Sequence, residues 1–205
     1  MLLEESAPLE VAAARSFVSR GGEKLEGALD AFGLSVQGAV AADVGASTGG
    51  FTDCLLQRGA SKVYAVDVGH DQLHPRLRED LRVISREGTN ARDAKPSDFD
   101  EPLDIVVVDA SFISLEKLLP ALSGIVRPGG ALVALVKPQF EVGAEAARRT
   151  RGVVRDPDLR ARAIEGAREA IHRAGFHVVA ECDSALPGPR GNVEHFVYAR
   201  RARDS

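Results

Sequence analysis

Two periods of apolar spacing take turns along this chain. Short, nearly continuous apolar runs recur at Ala39–Val44 (AVAADV), Lys62–Val68 (KVYAVDV), Leu81–Ser85 (LRVIS), Leu103–Ser111 (LDIVVVDAS) and Ala131–Lys137 (ALVALVK). Such runs predict strands buried on both faces, as in a parallel sheet. Between them, helical spacing predicts helices over Gly22–Phe32, Gly49–Gly59, Asp71–Glu79, Ser114–Val126 and Pro157–Ala174, with a looser segment at Phe140–Arg155. Gly59 stops the second helix, and RPGG after Val126 closes the fourth. Two further strands are predicted at Phe176–Asp183 and Val193–Arg201. The Pro/Gly-rich turn joining them has no room for a crossover helix, so the last strand is expected to run antiparallel.

The alternation predicts an α/β fold, Rossmann-like, with a mostly parallel sheet and helices on both faces. In such sheets ligands sit beyond the carboxyl ends of the strands. This gives weight to Lys137, where an otherwise apolar strand ends on an ammonium followed by Pro138. A lysine snorkelling into water at a strand end is the structural alternative.

A chain of 205 residues fits one domain, and 44% hydrophobic with 27% charged residues is a globular composition. Cys54 and Cys182 lie far apart with no signal peptide, which gives no support to a disulfide framework or a metal site; both read as small buried apolar residues. No apolar run approaches the ~20 residues of a membrane-spanning helix. The start MLLEESAPLE is acidic, unlike a targeting peptide, so a cytoplasmic protein without a membrane partner is expected. A net charge of −4 argues against a strongly basic nucleic-acid binder. Between Arg148 and Arg173, however, eight arginines face four carboxylates. That stretch is either a solvated helix with i,i+4 pairs or a local positive face.

The candidate chemistry starts after the first strand, where DVGASTGG places Gly45, Gly49 and Gly50 between strand and helix. Glycines there admit close backbone approach and leave helix amides free for polar atoms. The spacing is not the G-x-G-x-x-G of dinucleotide sites, and the P-loop lysine is absent. Asp43 would repel a pyrophosphate but favour a cationic ligand such as a sulfonium amino acid, which points to S-adenosylmethionine. Asp67 ends the next strand, at the position that grips ribose hydroxyls in nucleotide-binding α/β folds. Asn90, in GTNAR, is placed to read the adenine edge. The expected cofactor contacts are Asp43, Gly45, Ser47, Thr48, Gly49, Phe51, Asp67, Asn90 and Asp109.

Six blocks, FVSRGGEKL, DVGASTGGFTDCLLQRGA, VDASFISL, LVKPQFEVG, DPDLRARA and LPGPRGNVEHF, together resemble the TlyA family of FtsJ-like ribose methyltransferases, once named haemolysins. The likeness runs in order from about Arg15 to Arg201. It implies a class I S-adenosylmethionine-dependent methyltransferase with seven strands, the last antiparallel, acting on the 2′-hydroxyl of cytidine in small- and large-subunit ribosomal RNA. It also implies a Lys-Asp-Lys-Glu catalytic tetrad, which falls on Lys24, Asp109, Lys137 and Glu194. RNA, as ribosomal RNA or subunits, is the implied partner, with no DNA. Family members carry an S4-type RNA-binding module, whereas only 23 residues precede Lys24 here. Residues 1–19 are accordingly expected to be a tail and linker remnant, and 20–202 the methyltransferase domain. RSFV (15–18) resembles the family's interdomain linker.

The implied chemistry is physically coherent. A ribose hydroxyl needs a base to take its proton and in-line alignment with the methyl group. A lysine, with a usual pKa of roughly 10.4, serves as base only after shedding its own proton; burial and a second ammonium favour this, and carboxylates oppose it. Asp109 has the alternative reading of a helix cap near Ser114, Glu194 of an edge-strand charge, and Lys24 of an exposed helix residue. Competing functions are a non-catalytic RNA-binding or ribosome-assembly factor, a membrane-lytic protein, and a nicotinamide oxidoreductase. The last two lack the apolar segment and the glycine spacing they require. The target nucleotide, the subunit and the oligomeric state are not readable from sequence.

Overall fold

A computed structural model of the protein describes residues 16–143, 148 and 150–203. The apolar runs become seven strands: β1 (Val40–Val44), β2 (Lys62–Val66), β3 (Val83–Arg86), β4 (Leu103–Val108), β5 (Val126–Val136), β6 (Phe176–Asp183) and β7 (His195–Arg201). They form one sheet in the order β3-β2-β1-β4-β5-β7-β6. β1 to β5 pair in parallel, and β7 runs antiparallel between β5 and β6. Every residue of β1 is buried, and so is all of β4 except Asp104, as expected of strands covered on both faces.

One face packs on α1 (Arg20–Ala31) and α2 (Gly50–Gln57), where Leu25, Leu29 and Leu55 meet Val133 and Phe196. The other carries α4 (Leu119–Ile125) and α6 (Pro157–Arg173), where Leu122 and Ile171 meet Val106 and Leu132. Short α3 (Pro75–Arg78) follows β2, and short α5 (Pro138–Glu141) follows β5. Full burial of these branched side chains, at ~1.5–3 kcal/mol each, holds the layers together.

Several boundaries depart from the sequence expectation. The predicted helix Ser114–Val126 divides into a 3₁₀ turn at Leu115–Lys117 and α4, because Pro120 is tolerated only in a helix's first turn. RPGG does not close that helix from outside; it lies within β5 and forms the irregularity between the Leu103–Val126 and Ile105–Ala131 pairings. β3 starts at Val83, with Leu81 fully exposed in the preceding turn, and β7 starts at His195 rather than Val193. β5 ends at Val136, so Lys137 is the N-cap of α5, its backbone kept extended by the following proline. Cys54 is buried, but Cys182 is only partly so; its thiol pKa is raised, by burial first and then by the charge of Asp183.

The arginine-rich stretch is narrower than its sequence suggests. Arg160 pairs with Asp183, Arg168 with Glu181 and Glu165, and Arg173 with Glu116 and Glu169. Arg149 lies outside the described residues, as do residues 1–15 of the expected tail. Residues 16–18 of the expected linker are held on α2. The Val18 amide donates to Asp53 at 2.9 Å and Gln57 donates to the Ser16 carbonyl at 3.1 Å. Among the described residues no helix is long and apolar enough to cross a membrane.

Candidate active site

The carboxyl ends of β1, β2, β4 and β5 converge on two adjoining cavities. The larger, about 680 Å³, lies over β1 and β2 and is lined by Gly45, Ser47, Asp67, Gln72, Asn90 and Asp109 among others. The second, about 450 Å³, is lined by Arg20, Lys24, Ser47, Phe51, Asp109 and Lys137 among others. Gly45, Ser47, Asp109 and Ser111 belong to both walls, so the two spaces adjoin at the glycine loop.

The loop is fixed from three sides. The amides of Gly45 and Ala46 donate to the Val66 carbonyl at 2.9 and 3.2 Å, which ties the loop to the end of β2. Asp67 accepts the Ser47 amide on one oxygen at 2.8 Å and the Gly69 amide on the other at 2.7 Å. Gly45 has φ +86°, and a Cβ there would lie 2.7 Å from the Asp109 carbonyl oxygen, so β1 and β4 meet too closely for any side chain. Gly49, the N-cap of α2 at φ +98°, instead makes room for Leu77 and Leu73 of the α3 region, and it lines neither cavity.

Asp43 lies beneath the loop rather than in either cavity. It is wholly buried and caps α2 by accepting the Thr52 amide at 2.8 Å and the Thr52 hydroxyl at 2.7 Å, while its other oxygen is buried without a partner. Burial raises its pKa to about 7; the Thr52 hydroxyl works against this and the charge of Asp109 adds to it. Phe51 is a core residue stacked on Phe196 with one edge in the smaller cavity, and Thr48 also lines that cavity. Asn90 caps a 3₁₀ turn through its carbonyl, which accepts the Arg92 amide at 3.1 Å, and this leaves its NH₂ free to donate.

The four tetrad residues reach this place from α1, the end of β4, the end of β5 and the turn before β7. They form two ion pairs. Lys24 Nζ lies 2.6 Å from Glu194 Oε2, with side chains 10% and 0% exposed. Lys137 Nζ lies 2.5 Å from Asp109 Oδ1, with side chains 10% and 25% exposed. Lys24, Asp109 and Lys137 line the smaller cavity; Glu194 stands behind Lys24, against Gly188 of the preceding turn. Glu194 is therefore not an edge-strand charge, Lys24 is not exposed, and Asp109 caps no helix: the Leu115 amide bonds Glu141 instead. Sequence reasoning missed Ser111, whose hydroxyl accepts from Lys137 Nζ at 3.0 Å. Its signal was its place two residues past Asp109 in VDASF.

This donor set suits S-adenosylmethionine. Carboxylates at Asp67 and Asp109 and the Asn90 amide line a space within the ~300–1,000 Å³ of small-molecule sites, and the carboxylates retain accepting capacity beyond the bonds they make. No lysine or arginine stands on the glycine loop to neutralise a pyrophosphate.

The comparisons with known proteins agree. An FtsJ-like methyltransferase family model matches residues 17–201. The 16S/23S rRNA (cytidine-2′-O)-methyltransferase TlyA of Mycobacterium tuberculosis is 50% identical over 190 residues, covering 93% of this chain and 70% of that protein. Hemolysin A of Brachyspira hyodysenteriae is 43% identical over 198 residues, covering 96% and 82%. A solved structure of a Lactococcus lactis protein carrying a hemolysin name superposes with TM-score 0.87 at 42% identity over 92% of both chains. A methyltransferase structure from Mesorhizobium loti, at 16% identity and TM-score 0.61 over 85% and 96%, shares the fold. Sequence, fold and the meeting of the tetrad thus lead to one conclusion: the chain belongs to the FtsJ-like methyltransferase family, alongside TlyA.

Proposed function

We propose that the protein methylates the 2′-hydroxyl of cytidine in small- and large-subunit ribosomal RNA, with S-adenosylmethionine as donor. The observation that carries this reading is the convergence of Lys24, Asp109 and Lys137, from three distant parts of the chain, on one cavity that shares a wall with the nucleotide-sized cavity beside it. Asp67 and Asn90 would hold the adenosine, with the glycine-loop backbone at Gly45 and Ser47 alongside. When bound, the cofactor supplies an electrophilic methyl group on a sulfonium.

The chain's residues do the remainder. Lys137, held by Asp109 and Ser111, first releases its own ammonium proton to solvent through the open cavity and then, as the neutral amine, takes the 2′-hydroxyl proton. Lys24 faces the same cavity and offers an ammonium to the oxygen as it becomes anionic, and Glu194 holds that ammonium in place. Rigid pairing of both lysines aligns the ribose before reaction, a large share of what such a transfer requires. RNA backbone would rest on cations at the rim. Arg20 is anchored to the Pro187 carbonyl at 3.4 Å, and Arg151, Arg155 and Arg190 are exposed on the segments that precede α6 and β7.

Incubation with ribosomal subunits and methyl-labelled S-adenosylmethionine should label RNA, and the modified ribose should resist alkaline cleavage, which needs a free 2′-hydroxyl. Labelled RNA that remains fully alkali-sensitive would show base methylation and overturn the reading. An unlabelled product would favour a non-catalytic ribosome-assembly factor.

A further inference from the structure

Past Lys137 the chain turns into α5, and a third cavity of about 490 Å³ lies between α5 and α6. It adjoins the cofactor cavity, with Phe112, Ile113 and Lys117 in both walls. Most of its charges are satisfied internally. Arg173 is paired with Glu116 at 2.8 Å and Glu169 at 3.6 Å, and Glu141 accepts the Leu115 amide at 2.8 Å.

Three polar groups are left over. The exposed side chains of Lys117 and Arg162 have no ion pair or hydrogen bond among the described residues. Gln139, two residues beyond Lys137, buries its side-chain carbonyl oxygen with no partner. A buried amide oxygen without a partner is uncommon and calls for an explanation. Two unpaired cations beside it indicate a ligand that carries both an anion and hydrogen-bonding edges. The ring pair Phe112–Phe140, with centroids 5.2 Å apart, supplies an apolar wall.

We propose that this cavity receives the nucleotide next to the one that is methylated, its phosphate against Lys117 and Arg162 and its base edge against the Gln139 amide. The inference rests on the RNA-methylating function proposed above. Its placement rests on proximity, since Gln139 lies two residues beyond Lys137 and the cavity shares Phe112, Ile113 and Lys117 with the cofactor cavity. A guanidinium fork and an ammonium suit a phosphodiester, and an amide suits the exposed edge of an unstacked base, the form in which proteins read single-stranded RNA.

The test compares the full chain with Gln139→Ala, Arg162→Gln and Lys117→Gln. Methyl transfer to ribosomal subunits is measured across a salt series, with cofactor affinity for the Gln139 and Arg162 variants by calorimetry. Each variant should raise the KM for RNA about tenfold with kcat held, as loss of one strong contact does. Arg162→Gln and Lys117→Gln should each flatten the log–log salt dependence by about 0.7, whereas Gln139→Ala should leave it unaltered. Cofactor affinity should stay at the parent value for the two variants titrated. Parent-like KM and salt dependence in all three variants, with an active parent, would overturn the subsite alone. A parent that transfers no methyl to ribosomal RNA would overturn the functional reading and this site with it.

Discussion

Replacing Lys24 with methionine tests whether the tetrad is also a structural element. The change leaves the Glu194 carboxylate, fully buried 2.6 Å from the former ammonium, without its counter-charge. Removing one partner of a buried ion pair typically costs about 3–5 kcal/mol, because the remaining charge can neither reach water nor find another cation. Glu194 Oε1 already lacks a hydrogen-bond partner, so nothing nearby would compensate. For a domain of this size each kcal/mol moves the melting temperature by roughly 2–4 °C, which predicts a drop of about 6–20 °C. Replacing both Lys24 and Glu194 with methionine removes the stranded charge and should recover most of that loss while leaving methyl transfer abolished. Calorimetry on the parent, the single and the double variant decides it. A single variant that melts with the parent, or a double variant no more stable than the single, would refute the reasoning.

Three further outcomes follow from the same geometry. Asp43, with its folded pKa raised to about 7 from 3.8, keeps its proton in the native state over a range where the unfolded chain has lost it. Stability should therefore fall as pH rises from about 4 to about 7, by on the order of 4 kcal/mol, and level off above; Asp43→Asn should flatten that part of the curve of melting temperature against pH. Gly45→Ala forces a side chain 2.7 Å from the Asp109 carbonyl at φ +86°, and should cost ~1–3 kcal/mol and weaken S-adenosylmethionine binding in a titration. Asn192→Ala orphans the Val154 amide and the Gly152 carbonyl, each bonded at 2.9 Å, and should cost about 1–3 kcal/mol in a denaturant melt without changing cofactor affinity.

The sheet was legible because it is covered on both faces. Burial forces its strands to be apolar throughout, and the runs at β1, β2, β4 and β5 carry that mark. The boundaries that moved did so for local reasons that a period count does not see, namely Pro120 at the start of α4 and the bulge that brings Val126 opposite Leu103. In the site, the residue types and chain order placed Asp67, Asp109 and Lys137 at neighbouring strand ends, and the structure has them lining adjoining cavities. The pairing did not show. Lys24 and Glu194 are 170 residues apart, and which carboxylate takes which lysine depends on how α1 and the turn before β7 pack. Asp43 shows the same limit: an acid before a glycine loop reads as a ligand contact, whereas here Thr52 turns it into the buried cap of α2. The arginine-rich stretch, left open between a paired helix and a positive face, could not be settled from its own residues, since Asp183, Glu181 and Glu116, which pair with Arg160, Arg168 and Arg173, lie outside it.

The central claim is that Lys137, clasped by Asp109 and Ser111, takes the ribose proton. Single-turnover methyl transfer by Lys137→Ala, with S-adenosylmethionine affinity measured on the same sample, tests it most directly. The account predicts a rate lowered by ~10²–10⁴ with cofactor affinity intact. A variant that keeps most of the parent's rate, or that loses rate only because it no longer binds the cofactor, would contradict it.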